Sequence, residues 1–245
     1  MGELYTKWDN YAASISETQE TTWKTHPHVS YMLEHEWESA AKIYIEYLRP
    51  FLTTEQIQAM ASTNDKYGGA VTKLIEGITT SPSSIRYIRH SYDFCAHILS
   101  KGLNDVTVVE IGGGYGGLAL TMFKMAEIMN LQIKNYILYD LPGVTKLQKY
   151  YLSLHGVEER VQWRDPNTYG SECSEADTNV LISCYSLSEI ADSYRAKYLQ
   201  TLLPKIKAAF FVWNWGSKAA LPEIRDERPE VPDTSNGRGN TIIRL

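Results

Sequence analysis

The chain has 245 residues, a mass of 27.9 kDa and a formal net charge of −5, from 24 basic and 29 acidic residues. This size accommodates one large domain, or a core domain with an appendage. The acidic balance argues against a nucleic-acid partner, because phosphate contacts need clusters of lysine and arginine. An apolar content of 43% with 22% charged residues excludes wholesale disorder.

The distribution of apolar residues predicts no membrane partner. Charged residues interrupt every apolar run before it reaches the roughly 18 residues of a transmembrane helix. The N-terminal residues contain no apolar segment of the kind found in secretory signals, so we expect none. The three cysteines, Cys95, Cys173 and Cys184, are widely spaced and form no metal-binding pattern. We therefore expect a reducing, cytoplasmic location.

The first 103 residues have the pattern of helices. Apolar positions recur at three- and four-residue steps over residues 33–48, which predicts a helix ended by Pro50. A capping-box pattern beginning at Thr53 opens a short predicted helix that extends to residue 61. A third helix is predicted from Pro82, a residue tolerated in the first helical turn, and Gly102 closes it.

From residue 104 onward, apolar strand patterns alternate with helical ones. Strands are predicted at residues 106–111, 136–139, 161–163, 180–184, 208–213 and 241–245, and helices at 118–129, 144–154 and 194–206. The segment from Leu221 to the last strand contains three prolines and is predicted to be mostly loop. This alternation predicts an α/β fold with a mostly parallel sheet and helices on both faces. Residues 1–103 are expected to form a helical cap, joined without a linker to a ligand-binding domain of residues 104–245.

The segment Glu110–Gly117, with the sequence EIGGGYGG, ends the first strand of this region and opens a helix. At such a place a bare backbone can approach a ligand closely. Gly112, Gly114 and Gly117 fit the dinucleotide fingerprint G-x-G-x-x-G. Read from Glu110, the segment fits E-x-G-x-G-x-G and resembles the first motif of class I S-adenosylmethionine methyltransferases. The carboxylate favours this second interpretation, because it repels a pyrophosphate but is compatible with a sulfonium cation. A purely structural turn is the alternative.

Two further acidic residues follow predicted strands. Asp140 ends the second strand, where a carboxylate can accept hydrogen bonds from both ribose hydroxyls of an adenosyl ligand. This placement suits NAD and S-adenosylmethionine equally, and a helix N-cap is the alternative role. Asp165 follows the third strand, where this fold often places an acid near the adenine amino group. Its alternative role is that of an ordinary surface residue.

With these landmarks, the sequence resembles the sugar O-methyltransferase family from about Asn64 to its end. The shared features are the glycine segment, residues 81–87, Tyr136–Pro142 with the following Leu-Gln-x-x-Tyr-Leu, and a Ser-Glu pair at residues 188–189. One departure is Ala70, where such proteins tend to have a proline. The resemblance implies a class I methyltransferase fold and methyl transfer from S-adenosyl-L-methionine to a hydroxyl of a free sugar, a nucleotide sugar or a glycan.

This resemblance and the strand-end positions together give the candidate ligand contacts. The cofactor candidates are Glu110, Gly112, Gly113, Gly114, Tyr115, Asp140, Leu141, Asp165 and Cys184. The substrate candidates are Arg86, Tyr87 and Tyr185. The planar guanidinium of Arg86 could clamp a carboxylate or a phosphate, although arginine is more often an exposed helix residue.

Methyl transfer is an in-line displacement, so an enzyme aligns the two reactants and provides an acceptor for the hydroxyl proton. Glu189 lies just after the fourth strand and is the first candidate for this base. The alternative for Glu189 is a first-turn acid that stabilises a helix N-terminus. Asp65 and His90, both in the predicted cap, are the reserve candidates.

A metal is not expected. His26, His28 and His35 lie close together in the sequence, but their spacing fits no strong ligand pattern, and the fourth and fifth strands end without an acid. Two alternative functions stay open: a nicotinamide-dependent oxidoreductase, against which Glu110 counts, and a catalytically silent adenosyl-binding partner subunit. The tyrosine-rich N-terminal helices are candidates for a homo-oligomer interface.

Overall fold

The computed structural model describes residues 3–223, 225–235 and 237–245. The helices are α1 (Glu3–Thr18), α2 (Pro27–Met32), α3 (Glu38–Leu48), α4 (Thr54–Asp65), α5 (Pro82–Ser100), α6 (Gly117–Met129), α7 (Pro142–Leu154), α8 (Ser186–Glu189) and α9 (Asp192–Leu202). The strands are β1 (Lys73–Ile75), β2 (Ile78–Thr80), β3 (Asp105–Ile111), β4 (Gln132–Tyr139), β5 (Val161–Arg164), β6 (Asn179–Cys184), β7 (Ile206–Trp213), β8 (Asp226–Pro229) and β9 (Thr241–Arg244). Among the described residues, no helix has the length and hydropathy needed to cross a bilayer.

Seven of the strands form one sheet in the order β5-β4-β3-β6-β7-β9-β8. The strands from β5 to β7 pair in parallel, whereas β9 pairs antiparallel with both β7 and β8. The chain runs outward from β3 to β5 and then from β6 to β7, which places a topological switch point between β3 and β6. The expected α/β fold with a mostly parallel sheet is therefore confirmed.

The chain divides into two compact units. Unit 1 comprises the described residues up to 93 together with 114–125 and 142–158, and unit 2 comprises 94–113, 126–141 and 159–245. Each unit therefore collects separate stretches of the chain. The division into residues 1–103 and 104–245 stays a prediction.

Unit 2 contains the seven-stranded sheet. Its apolar core combines alternate residues of β3, β6 and β7 with the buried side of α9. Phe210 of β7 faces the other way, and its ring packs edge-on against Phe94 of α5 with centroids 6.5 Å apart. The central strands β3, β6 and β7 are buried on both sides, a pattern typical of a parallel sheet with both faces covered.

Unit 1 contains α1 to α4, the hairpin β1–β2 and α7. Asp9 of α1 caps α7, since its Oδ1 accepts hydrogen bonds from the amides of Gly143 at 2.6 Å and Val144 at 3.1 Å. A Cβ at position 143 would lie 2.0 Å from the Asp9 carbonyl oxygen, so the contact requires glycine. The predicted capping box at Thr53 is also confirmed, although α4 continues to Asp65.

The predicted helix over residues 33–48 is wrong at its start. Leu33 is the C-terminal cap of α2, and Trp37 has extended backbone as the N-cap of α3. The predicted helix over 194–206 is too long, because α9 ends at Leu202 and Ile206 already begins β7. Apolar spacing continues across both breaks, so the pattern alone does not reveal them.

The prediction of a mostly loop segment after Leu221 misses the edge strand β8. Its sequence, Asp226–Pro229, is charged and ends in proline, which are features that edge strands tolerate and central strands do not. The sequence analysis also does not identify α1 or the hairpin β1–β2. The three-residue strands of that hairpin are too short to show a period.

Candidate active site at the carboxyl ends of the strands

The glycine turn follows β3 in unit 2. Gly112 has a φ of +76°, and its amide donates to the Tyr139 carbonyl at 2.9 Å, which extends the pairing of β3 with β4. A Cβ at position 112 would lie 1.9 Å from the Ser186 hydroxyl oxygen, and one at Gly113 would lie 2.9 Å from the Leu138 side chain. Packing within the protein therefore already requires glycine at both positions, before any ligand is considered.

Glu110 lies beside this turn with only 1% of its surface exposed. Its Oε2 accepts a hydrogen bond from the Tyr136 hydroxyl at 2.7 Å. Burial raises the pKa of Glu110 to about 7; the Tyr136 hydrogen bond opposes this rise and the Asp140 charge adds to it. At neutral pH this carboxyl is only partly ionised. The electrostatic argument that Glu110 favours a sulfonium ligand over a pyrophosphate is therefore weaker than it is from the sequence alone.

Asp140 follows β4 at the strand end next to Gly112. The side chain is half-buried, and its Oδ1 accepts a hydrogen bond from the Leu141 amide at 2.8 Å. The structure thus places a carboxylate where the sequence analysis expects it, at the end of the strand beside the glycine turn. This position is suited to accepting hydrogen bonds from a ribose.

Tyr185 follows Cys184 at the end of β6, on the other side of the switch point. Its backbone has φ of 69° and ψ of −44°, a conformation that costs a residue other than glycine about 1–3 kcal/mol. Two hydrogen bonds hold it there: its amide donates to the Val212 carbonyl at 2.7 Å, and its hydroxyl donates to Glu230 at 2.7 Å. Backbone strain held in this way is typical of functional sites.

Glu189 lies at the end of α8, the single turn that follows Tyr185. The Asn214 side-chain amide donates to Glu189 Oε1 at 2.6 Å. Asn214 is held in turn, since the Ser188 hydroxyl donates to its Oδ1 at 2.5 Å and its backbone amide donates back to Ser188 Oγ at 3.1 Å. The candidate base is therefore half-buried and oriented by an amide donor from the end of β7. The sequence shows only that the fifth predicted strand ends without an acid, and it predicts no role for Asn214.

Asp165 is exposed after β5. Its Oδ1 accepts hydrogen bonds from the backbone and side-chain amides of Asn167, both at 2.9 Å. The residue is the N-cap of a short 3-10 turn, which begins at Pro166. This geometry favours the surface role over an adenine contact.

The glycine segment continues into unit 1 with Gly114 and Tyr115. A Cβ at position 114 would lie 3.0 Å from the Leu33 side chain, and φ at Gly114 is +56°. A larger residue at 114 would disturb the protein itself, so loss of ligand binding in such a variant would not identify a ligand contact. Tyr115 is fully buried, and its hydroxyl donates to Glu34 at 2.8 Å.

A buried lysine, which the sequence analysis does not single out, lies beside Tyr115. Lys24 Nζ donates to the Asn64 carbonyl at 2.7 Å and lies 4.7 Å from the Tyr115 ring centroid and 5.2 Å from that of Tyr151. Burial lowers the pKa of Lys24 and raises the pKa of Glu34, while their mutual attraction opposes both changes. The cluster fixes Tyr115 within unit 1.

Asp65 caps α5 through several hydrogen bonds. Its carboxylate accepts from the Ser81 amide at 2.8 Å, the Ser81 hydroxyl at 2.7 Å, the Ser84 hydroxyl at 2.7 Å and the Thr80 hydroxyl at 3.1 Å. A carboxylate that accepts four hydrogen bonds is a strong helix cap. The geometry therefore favours a structural role for this reserve base.

The other unit 1 candidates lie on α5. Arg86 is buried, donates to the Leu33 carbonyl at 2.8 Å and pairs with Glu36 at 3.4 Å, so it is directed at the chain itself. Tyr87 lies beside it, with its ring centroid 5.7 Å from the Arg86 guanidinium carbon. Burial and the nearby Arg86 and Arg89 lower the pKa of His90 well below its usual value, so the imidazole is neutral. Among the described residues, no cluster of three or more His, Cys, Asp or Glu side chains could hold a metal ion.

Several solved structures are similar to this chain. A protein from Burkholderia thailandensis bound to S-adenosyl-homocysteine is 15% identical, with a TM-score of 0.42, over 54% of this chain and 47% of that one. An rRNA methylase from Streptococcus thermophilus is 15% identical, with a TM-score of 0.46, over 65% and 95%. An S-adenosylmethionine-dependent methyltransferase from Clostridium acetobutylicum is 15% identical, with a TM-score of 0.39, over 60% and 58%.

No protein-family model matches the chain, and no curated protein matches it by sequence. The match covers about half of the Burkholderia protein's own length. The fold assignment rests on the strand order of the sheet rather than on these distant similarities.

The raised pKa of Glu110 predicts a pH-dependent cost to stability. In the unfolded chain the carboxyl ionises near its ordinary value, whereas in the folded protein it holds its proton to about pH 7. Its contribution to folding is therefore complete at acidic pH and is lost between about pH 4.5 and 7. Glu110→Gln keeps an oxygen that can accept from Tyr136 and removes the ionisation. In urea titrations, the free energy of unfolding of Glu110→Gln minus that of the wild type should increase from pH 5 to pH 8. A difference that stays constant over this range would contradict the raised pKa.

Proposed function

We propose that the chain is an S-adenosylmethionine-dependent methyltransferase that acts on a sugar hydroxyl, with Glu189 as the base. The observation that carries the proposal is the arrangement of the strand ends in unit 2. A glycine turn and Asp140 lie at the ends of β3 and β4, and an oriented carboxylate follows β6. This is the edge of a doubly wound sheet at which ligands bind.

The residues present fit an adenosyl ligand. The Asp140 carboxylate, at the strand end beside the glycine turn, can accept hydrogen bonds from ribose hydroxyls. Glu110 is buried and accepts a hydrogen bond from Tyr136 of β4, so its carboxyl is engaged within the protein. Because Glu110 is partly protonated, the charges at these strand ends do not discriminate strongly against NAD. NAD is therefore included in the binding test.

The chain's own part in the reaction is to orient the hydroxyl and accept its proton. When bound, S-adenosylmethionine would supply a sulfonium-activated methyl group to the hydroxyl oxygen and would leave as the neutral thioether. Glu189 accepts the hydroxyl proton, and Asn214 holds the carboxylate so that one oxygen stays directed at the acceptor. The sugar acceptor itself is inferred from the motifs of the glycine, Asp-Leu-Pro and Ser-Glu segments.

Asp140→Ala tests the cofactor site. We expect the variant to bind S-adenosylhomocysteine at least about tenfold more weakly than the wild type in calorimetry, because hydrogen bonds to a charged acceptor are lost. Asp165→Ala is the matched control, since it removes another strand-end carboxylate whose oxygen is engaged in its own turn. Equal affinity of Asp140→Ala and the wild type, or tighter wild-type binding of NAD than of S-adenosylhomocysteine, would overturn the cofactor assignment.

Glu189→Gln tests the base. The substitution preserves size and keeps an oxygen for Asn214, but it removes the basic group. We expect turnover to fall by ~10²–10⁴, with affinity for S-adenosylhomocysteine nearly unchanged. A role limited to stabilising the helix end predicts near-normal turnover. If Glu189→Gln is fully active while His90→Gln is not, the base lies on α5 instead.

Metal removal gives an independent test of the mechanism. The proposed chemistry uses a carboxylate and a sulfonium and needs no Lewis acid. Turnover should therefore survive excess EDTA. Complete loss of activity on chelation, with recovery on adding magnesium, would contradict a metal-independent reaction.

A further inference from the structure

An exposed tryptophan directly follows the residue that orients the candidate base. Trp215 has 62% of its surface exposed, whereas Trp213, two residues earlier in β7, is fully buried. The exposed indole offers a flat apolar face that a ligand with an apolar face of its own can cover. Its neighbour Asn214 is hydrogen-bonded to Glu189, so the residue that precedes the exposed indole contacts the candidate base.

The backbone that carries Trp215 is held on both sides. The Trp215 amide donates to Asn214 Oδ1 at 2.8 Å, and the Trp213 indole nitrogen donates to the Gly216 carbonyl at 2.6 Å. A Cβ at position 216 would lie 2.0 Å from the Ser188 carbonyl oxygen, so the chain passes tightly against α8. The indole is therefore attached to a fixed backbone, although its ring is open to solvent.

The loop between β8 and β9 contacts both Tyr185 and Trp215. Buried Glu230 anchors the loop, since it accepts hydrogen bonds from Tyr185 at 2.7 Å, Thr234 at 2.9 Å and Asn240 at 2.8 Å. Farther along the loop, the guanidinium carbon of Arg238 lies 6.0 Å from the Trp215 ring centroid. The loop thus places the guanidinium of Arg238 near the indole and is hydrogen-bonded to Tyr185, the strained residue after β6.

We propose that Trp215 is the surface on which the acceptor's pyranose ring stacks, and that Asn214 is the positioning residue that holds Glu189 beside it. This inference rests on the proposed function and deepens it. A pyranose has an apolar C–H face and an edge of hydroxyls, so its face matches an indole while its edge matches polar groups. Glu189 then lies at the hydroxyl edge, and Arg238 supplies donors to the other hydroxyls.

The test separates acceptor binding from catalysis. Wild type, Trp215→Ala, Trp215→Phe and Asn214→Ala are assayed with methyl-tritiated S-adenosylmethionine against a panel of methyl pyranosides and nucleoside-diphosphate hexoses. We expect Trp215→Ala to raise the acceptor KM about tenfold with little change in kcat, and Trp215→Phe to recover most of the loss. Asn214→Ala should mainly lower kcat. Tyr194→Ala is the matched control, because Tyr194 is also an exposed aromatic of unit 2, with 42% of its surface exposed.

The outcomes distinguish this inference from the function on which it rests. A wild-type acceptor KM in Trp215→Ala, with the wild type active, would overturn the stacking surface alone. Binding of S-adenosylhomocysteine by the wild type without methylation of any probe would contradict the sugar acceptor and the stacking surface together. Failure of the wild type to bind S-adenosylhomocysteine would contradict the methyltransferase itself. Thermal melting of each variant checks that the fold is retained.

Discussion

The reversal of the backbone after β3 is the constraint on which the candidate site depends. Gly112 turns the chain in a left-handed conformation while its amide still pairs with the end of β4. On the other side, the Ser183 hydroxyl donates to the Ile111 carbonyl at 2.8 Å and accepts from the Leu187 amide at 3.0 Å. The ends of β3, β4 and β6 are thus joined by hydrogen bonds, so the groups that follow them lie along one edge of the sheet.

The acidic residues at these strand ends differ in burial and therefore in ionisation. Glu110 is enclosed and accepts a hydrogen bond from Tyr136, and burial raises its pKa to about 7, so it is only partly ionised at neutral pH. Asp140 and Glu189 are half-buried and reach solvent, one after β4 and the other after β6. Asn214 orients Glu189 from β7. Two half-buried carboxylates therefore lie on opposite sides of the switch point.

The sequence predicts what depends on local pattern. Strand–helix alternation, the glycine turn and the acid at position 140 all follow from residues near one another in the chain. Contacts between distant residues are different: Asn214 with Glu189, Tyr185 with Glu230 and Lys24 with Asn64 leave no periodic signal. The sequence also does not distinguish a strand-end aspartate that caps a turn from one that binds a ribose, because both have the same sequence pattern.

A crystal structure with S-adenosylhomocysteine tests the central claim most directly, because it locates the ligand relative to the strand ends. We predict that the adenosyl group lies at the carboxyl ends of β3 and β4, with the ribose hydroxyls within hydrogen-bond distance of the Asp140 carboxylate. The ligand's sulfur should lie on the side of the switch point where Glu189 follows β6. A ligand bound elsewhere, or one whose ribose makes no contact with Asp140, would contradict the account.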